Sequence, residues 1–142
     1  SNEERGLANL KAAYDYLEAE MGATKIGVIG WCLGGKWSLK TALMLPEDID
    51  ATVIYYGSLT DDKDKLATLD MPIIGFVGTK DRLHKEFIVF DENMKELGKD
   101  SSVYIYEGAK HAFANASGTV YEPVAAEDSW SKTTKFLKKY LH

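Results

Sequence analysis

Cysteine is nearly missing from this chain of 142 residues: there is one, Cys32. A single cysteine excludes an internal disulfide and any cysteine-rich zinc site, and fits a reducing, cytoplasmic setting. Proline is scarce too, with three residues, so few positions interrupt regular structure. No apolar run approaches the length that spans a bilayer, and no charged-then-apolar leader opens the chain, so a membrane role is not expected. Basic clusters are absent and the net charge of −5 is spread along the sequence, which argues against nucleic-acid binding. No pair of histidines has a metal-ligand spacing, and no metal or other cofactor is expected.

What remains is the composition of a globular protein, 45% hydrophobic and 11% aromatic, in a length suited to one domain over residues 1–142. Leu7, Leu10, Tyr14, Leu17 and Met21 recur at steps of three and four, predicting an amphipathic helix from Glu3 to Met21 stopped by Gly22. Lys25 to Gly30 reads as a strand apolar on both faces, followed by a helix from Lys36 to Leu45 ended by Pro46. Further strands are predicted at Ala51–Tyr56, Ile73–Val77 and Ser102–Tyr106. The charged stretch Thr60–Asp70 connects the second and third strands. A helix carrying Phe87, Phe90, Met94 and Leu97 follows the third strand. A last helix from Pro123 to Tyr140 is expected to turn Ala126, Trp130, Leu137 and Tyr140 inward. Alternation of this kind predicts an α/β fold, a three-layer parallel sheet of about four strands with helices on both faces.

The one cysteine lies in Gly30-Trp31-Cys32-Leu33-Gly34-Gly35, where a strand turns sharply into a helix. A strained turn pushes its reactive atom above the sheet and crowds strand against helix, so small residues are needed two positions either side, where Gly30 and Gly34 stand. At a helix N-terminus the backbone N–H groups favour a thiolate, and the N–H of Leu33 is placed to bind an oxyanion. A small buried core cysteine is the plainer reading of the same residue. A thiol nucleophile also needs a base and a group to orient that base. Cys32, Asp81 and His111 each follow the carboxyl end of a predicted strand, the rim where such sheets bind ligands, and run in the chain order of α/β-hydrolases. Taken singly, Asp81 reads equally as a turn or cap residue and His111 as a loop histidine. Trp31 and Phe113 read either as walls of a substrate pocket or as core. Ser58 lacks the glycine-flanked turn a nucleophile would need, and His84 and His142 carry no chemical reading.

These pieces resemble the dienelactone hydrolase family: Gly30 to Gly35, Gly78-Thr79-Lys80-Asp81, Gly108-Ala109-Lys110-His111-Ala112-Phe113, and Tyr121-Glu122-Pro123 leading to Trp130. The resemblance implies Cys32 as nucleophile, His111 as general base and later acid, Asp81 as the residue that orients His111, and a small-molecule ester or lactone as substrate. Members that open dienelactones hold a substrate carboxylate with arginines. One of those stands four residues beyond the histidine, at Asn115 here, so a different ester or lactone is expected. The likeness is to the carboxyl-terminal half of the family's fold, a truncated α/β-hydrolase. The other half would carry the second oxyanion donor, a glutamate that contacts the resting cysteine, and strands that pair with the elbow strand. An elbow strand at the sheet edge would be an open apolar edge. A homodimer or swapped assembly through that edge is therefore expected. The rival expectation is a weak or inactive fragment that binds a partner chain through it.

Overall fold

The computed structural model describes residues 1–142. Nine elements follow one another: α1 (Asn2–Ala19), β1 (Gly27–Trp31), α2 (Leu33–Met44), β2 (Ala51–Tyr55), α3 (Lys63–Leu66), β3 (Ile73–Gly78), α4 (His84–Glu96), β4 (Ser101–Tyr106) and α5 (Pro123–Tyr140). The strands form one parallel sheet in the order β1-β2-β3-β4, with Gly30 beside Ile54 and Phe76 beside Tyr104 in register. Because spatial order equals chain order, right-handed crossovers place α2, α3 and α4 on one face.

That face holds the larger core. Leu39 and Ala42 of α2 and Phe87, Phe90 and Met94 of α4 pack with Ile54, Ile73 and Val77 of the strands. On the other face Val53, Tyr55, Ile74 and Phe76 pack with Ala125 of α5, flanked by Phe136 and Leu137. A buried hydrogen bond of 2.8 Å between the Tyr55 and Thr133 hydroxyls ties α5 to β2. Alternate residues of β2 and β3 thus serve opposite cores, which is why both strands are buried throughout. No helix is long and apolar enough to cross a membrane.

Three expectations change. The first helix ends at Ala19, before Met21, and none of its residues is buried. It lies mainly on α2, with Gly6 against the Trp37 indole, and Tyr14 is the residue of its apolar face that packs on the core. Trp130 is not turned inward. The face of α5 that meets the sheet is made of small residues, Ala125, Ala126, Ser129 and Thr133, and Trp130 stands on its flank, 52% exposed, beside Trp31. The elbow strand runs on to Trp31 and α2 begins at Leu33, leaving Cys32 alone between them.

Candidate active site

The strand-to-helix turn is as tight as a single residue allows. Cys32 has φ 54° and ψ −120°, a left-handed conformation that a side chain tolerates only when its surroundings enforce it. Its N–H bonds the Tyr55 carbonyl at 3.0 Å, fixing the turn to β2, and its own carbonyl accepts from Lys36 N–H at 3.2 Å. The glycines act differently from the simple two-before, two-after rule. A Cβ on Gly30 would lie 2.1 Å from the Gly34 carbonyl oxygen, whereas one on Gly34 would meet nothing within 4 Å. The second close approach belongs to Gly35, where a Cβ would lie 2.7 Å from the Tyr55 carbonyl oxygen and 2.9 Å from the Gly57 Cα. Gly34 contributes its backbone to the contact, while Gly35 faces β2 and Gly57.

Asp81 and His111 are brought together by the ends of β3 and β4. Gly78 lets the two loops touch, since a Cβ there would lie 2.0 Å from the Ala109 carbonyl oxygen. Three hydrogen bonds lace them: Thr79 N–H to the Tyr106 carbonyl, Lys80 N–H to the Ala109 carbonyl, and Gly108 N–H to the Thr79 hydroxyl. The Asp81 side chain is wholly buried. Its Oδ1 accepts from Leu83 N–H at 2.9 Å and its Oδ2 faces His111 Nδ1 at 2.8 Å. The imidazole is about a third exposed and lies edge-on to the Tyr56 ring, 5.2 Å between centroids. Ala112 takes φ 67°, which swings Phe113 into the core beneath Tyr56 and Tyr106 while His111 stays at the surface.

Cys32, Leu33 and His111 line one cavity of about 310 Å³. Its other walls are Lys36, Tyr56, Ser58, Arg82 and Leu83, and no carboxylate lines it, Asp81 being buried behind the imidazole. Trp31, Phe113 and Asn115 do not line it. Trp31 stacks on Tyr55 over the α5 face, Phe113 is fully buried, and Asn115 is exposed and shapes a surface turn by accepting from Ser117 N–H. Tyr56, Lys36 and Arg82 are cavity residues that the sequence reading passed over. Tyr56 was signalled only by the Tyr55-Tyr56-Gly57 strand end, and the two cations only by adjacency to Cys32 and Asp81.

Burial pushes the Cys32 thiol above its ordinary value, and the Asp81 carboxylate adds to the shift. The helix N-terminus acts in the opposite sense. Burial also raises the Tyr56 phenol, with the neighbouring thiol contributing and a hydrogen bond with the Ala114 backbone opposing. The cavity is thus a place that disfavours uncompensated negative charge on Cys32, and a proton acceptor beside it carries chemical meaning.

Comparison with known proteins identifies the family of the chain. The sequence model of the dienelactone hydrolase family matches residues 1–141. Protein usf of Aquifex pyrophilus is 34% identical over 139 residues, a match covering 94% of this chain and 60% of the relative. The carboxymethylenebutenolidase of Rhodococcus opacus is 29% identical over 126 residues, covering 81% of this chain and 50% of the relative. Among solved structures, the dienelactone hydrolase of Anabaena variabilis superposes with a TM-score of 0.75 at 21% identity, over 96% of this chain and 60% of that one, a likeness of fold. The chain therefore spans about half to three fifths of the length of these relatives. With the match running through the elbow, the Asp81 loop and the His111 loop to the end of α5, this chain belongs to the dienelactone hydrolase family.

Proposed function

We propose that the chain carries an ester or lactone hydrolase site of the dienelactone hydrolase type, with Cys32 as nucleophile, His111 as base and Asp81 as the group that orients His111. The observation that carries the reading is the 2.8 Å contact between the Asp81 carboxylate and His111 Nδ1 at the edge of the cavity that also holds Cys32. With Nδ1–H donating to Asp81, Nε2 keeps its lone pair and is the basic nitrogen. The buried carboxylate holds the ring in place as Nε2 takes a proton.

The thiol is held protonated at rest, so its proton leaves for Nε2 as the sulfur attacks the carbonyl carbon. The C–S bond forms, the carbonyl electron pair moves to oxygen, and Leu33 N–H, in the first turn of α2 where it has no intrahelical partner, donates to that oxyanion. Collapse breaks the carbonyl–alkoxide bond, and the imidazolium returns the proton to the departing oxygen. Water, deprotonated by Nε2, then attacks the thioester and restores the thiol.

The test is hydrolysis of 4-nitrophenyl acetate by the wild type, Cys32→Ala and His111→Ala. Turnover is expected to vanish in the first variant and fall about 10²- to 10⁴-fold in the second. Equal turnover in all three proteins would refute the assignment.

A further inference from the structure

Three residues other than glycine have a left-handed backbone: Cys32 (φ 54°), Tyr56 (φ 34°) and Ala112 (φ 67°). That conformation is strained for any residue with a Cβ, most of all for a bulky one. Two of the three set the candidate site, Cys32 as the elbow itself and Ala112 as the turn that leaves His111 at the surface while Phe113 enters the core. Tyr56 takes no part in bond making, yet its backbone is bent in the same strained way, in the wall of the cavity that holds Cys32 and His111.

The bend fastens Tyr56 to the elbow. Cys32 N–H bonds the Tyr55 carbonyl, and a Cβ on Gly57 would lie 2.4 Å from the Lys36 nitrogen, so the backbone on either side of Tyr56 is pressed against the start of α2. Its own N–H bonds the Phe76 carbonyl at 2.8 Å. The side chain is buried against the Phe113 and Tyr55 rings, with centroids 5.2 and 5.9 Å away, and it meets the His111 imidazole at 5.2 Å and 60°. The loops that carry Asp81 and His111 are laced to each other, but none of those hydrogen bonds reaches the elbow. A single hydrogen bond at Nδ1 lets the imidazole rock about that contact. We propose that Tyr56 is a positioning residue: its ring, carried by the backbone that clamps the elbow, props the imidazole so that Nε2 faces Cys32. This role rests on His111 being the base of the hydrolase site, and it belongs to the ring rather than to the hydroxyl.

The experiment reads geometry by NMR of the isotope-labelled whole chain and chemistry by 4-nitrophenyl acetate hydrolysis. The chain has three histidines, and the His111 signals are those lost in His111→Ala. In the wild type, nuclear Overhauser contacts are expected between the His111 and Tyr56 rings, together with a downfield signal from the Nδ1 proton that faces Asp81. Tyr56→Met, a flexible filler of the same space, should broaden that proton signal beyond detection and lower kcat about 10²-fold with KM little changed. Tyr56→Phe, which restores the ring, should recover both. The wild-type ring contacts test the geometry whether or not Tyr56→Met folds. Missing ring contacts, a Tyr56→Met chain that keeps the proton signal or its kcat, or a Tyr56→Phe chain that loses either would overturn the proposal. Failure of the hydrolase reading is seen separately, as absence of turnover in every protein while the proton signal still depends on the ring.

Discussion

Burial and the Asp81 carboxylate act on Cys32 in the same direction, and this gives the site two separable observables. Since the folded thiol is shifted upward, it is protonated at neutral pH and ionises only above the ordinary value of about 8.5. The pH profile of iodoacetamide alkylation should therefore inflect above that value, and an inflection below it would mean that the helix N-terminus dominates. Asp81→Asn removes the second cause and should move the inflection down, toward a more available thiolate. The same substitution removes the acceptor that fixes His111, a change that in comparable triads lowers turnover about 10⁴-fold. A variant with a more acidic cysteine but slower ester hydrolysis would separate the orienting role of Asp81 from its field. At this scale the sequence was informative for the placement of Cys32, Asp81 and His111 at the strand ends, because each stands in a short glycine-marked loop. It was uninformative for Lys36, Tyr56 and Arg82, whose approach to Cys32 depends on the crossing of α2, β2 and the Asp81 loop.

The elbow as an element depends on two close backbone approaches, and they predict unequal responses to alanine. Gly30→Ala would place a methyl group 2.1 Å from a carbonyl oxygen that α2 cannot move, so a loss of about 3 kcal/mol or more is expected in urea unfolding. Gly35→Ala meets the backbone of β2 and of Gly57 and should be comparably damaging. Gly34→Ala has open space and gains helix propensity, so stability should hold or rise by up to about 1 kcal/mol. Equal losses at Gly30 and Gly34 would contradict the geometry. The sequence pattern named Gly30 and Gly34 by their offset from Cys32, and the offset alone does not reveal that Gly34 meets its neighbour through its carbonyl. The order and kind of the elements were readable from period and glycine stops, and α5 begins and ends where proline and the apolar period put it. What period could not show was how much of each face finds a partner. Tyr14 reaches the core from α1 while Leu17 and Met21 stay exposed, and Trp130 falls outside the narrow small-residue face by which α5 approaches the sheet.

For the molecule as a whole, the two faces and the edges of the sheet are unequally protected. α5 and the loop carrying Ala109 and Phe113 cover one face, and Trp31, at the end of edge strand β1, remains 40% exposed beside Trp130. β1 reads Gly27-Val28-Ile29-Gly30-Trp31, with no charge and no proline to discourage pairing. We propose that a second polypeptide covers this edge, a second copy in a solution of the pure chain, and light-scattering mass should give a dimer or larger species. A strict monomer at high concentration would refute that. Alkaline stability offers an independent check on the cores. Burial raises the phenols of Tyr55, Tyr56 and Tyr106, with the Asp128 carboxylate adding to the shift at Tyr106. Each folded phenol holds its proton more tightly than in the unfolded chain. The stability this gives is complete below the unfolded value of about 10 and is lost as pH rises beyond it. Urea midpoints should be steady to about pH 9 and fall steeply above pH 10, less so in Tyr106→Phe; a flat profile through that range would contradict the burial of these groups.

The most direct measurement of the central assignment is intact mass during reaction with 4-nitrophenyl acetate. The wild-type chain should gain one acetyl group, mapped to Cys32, that appears with nitrophenolate release and is lost as hydrolysis proceeds, and Cys32→Ala should gain none and release no nitrophenolate above background. Nitrophenolate release that persists undiminished in Cys32→Ala, or acetylation that maps elsewhere, would contradict the account.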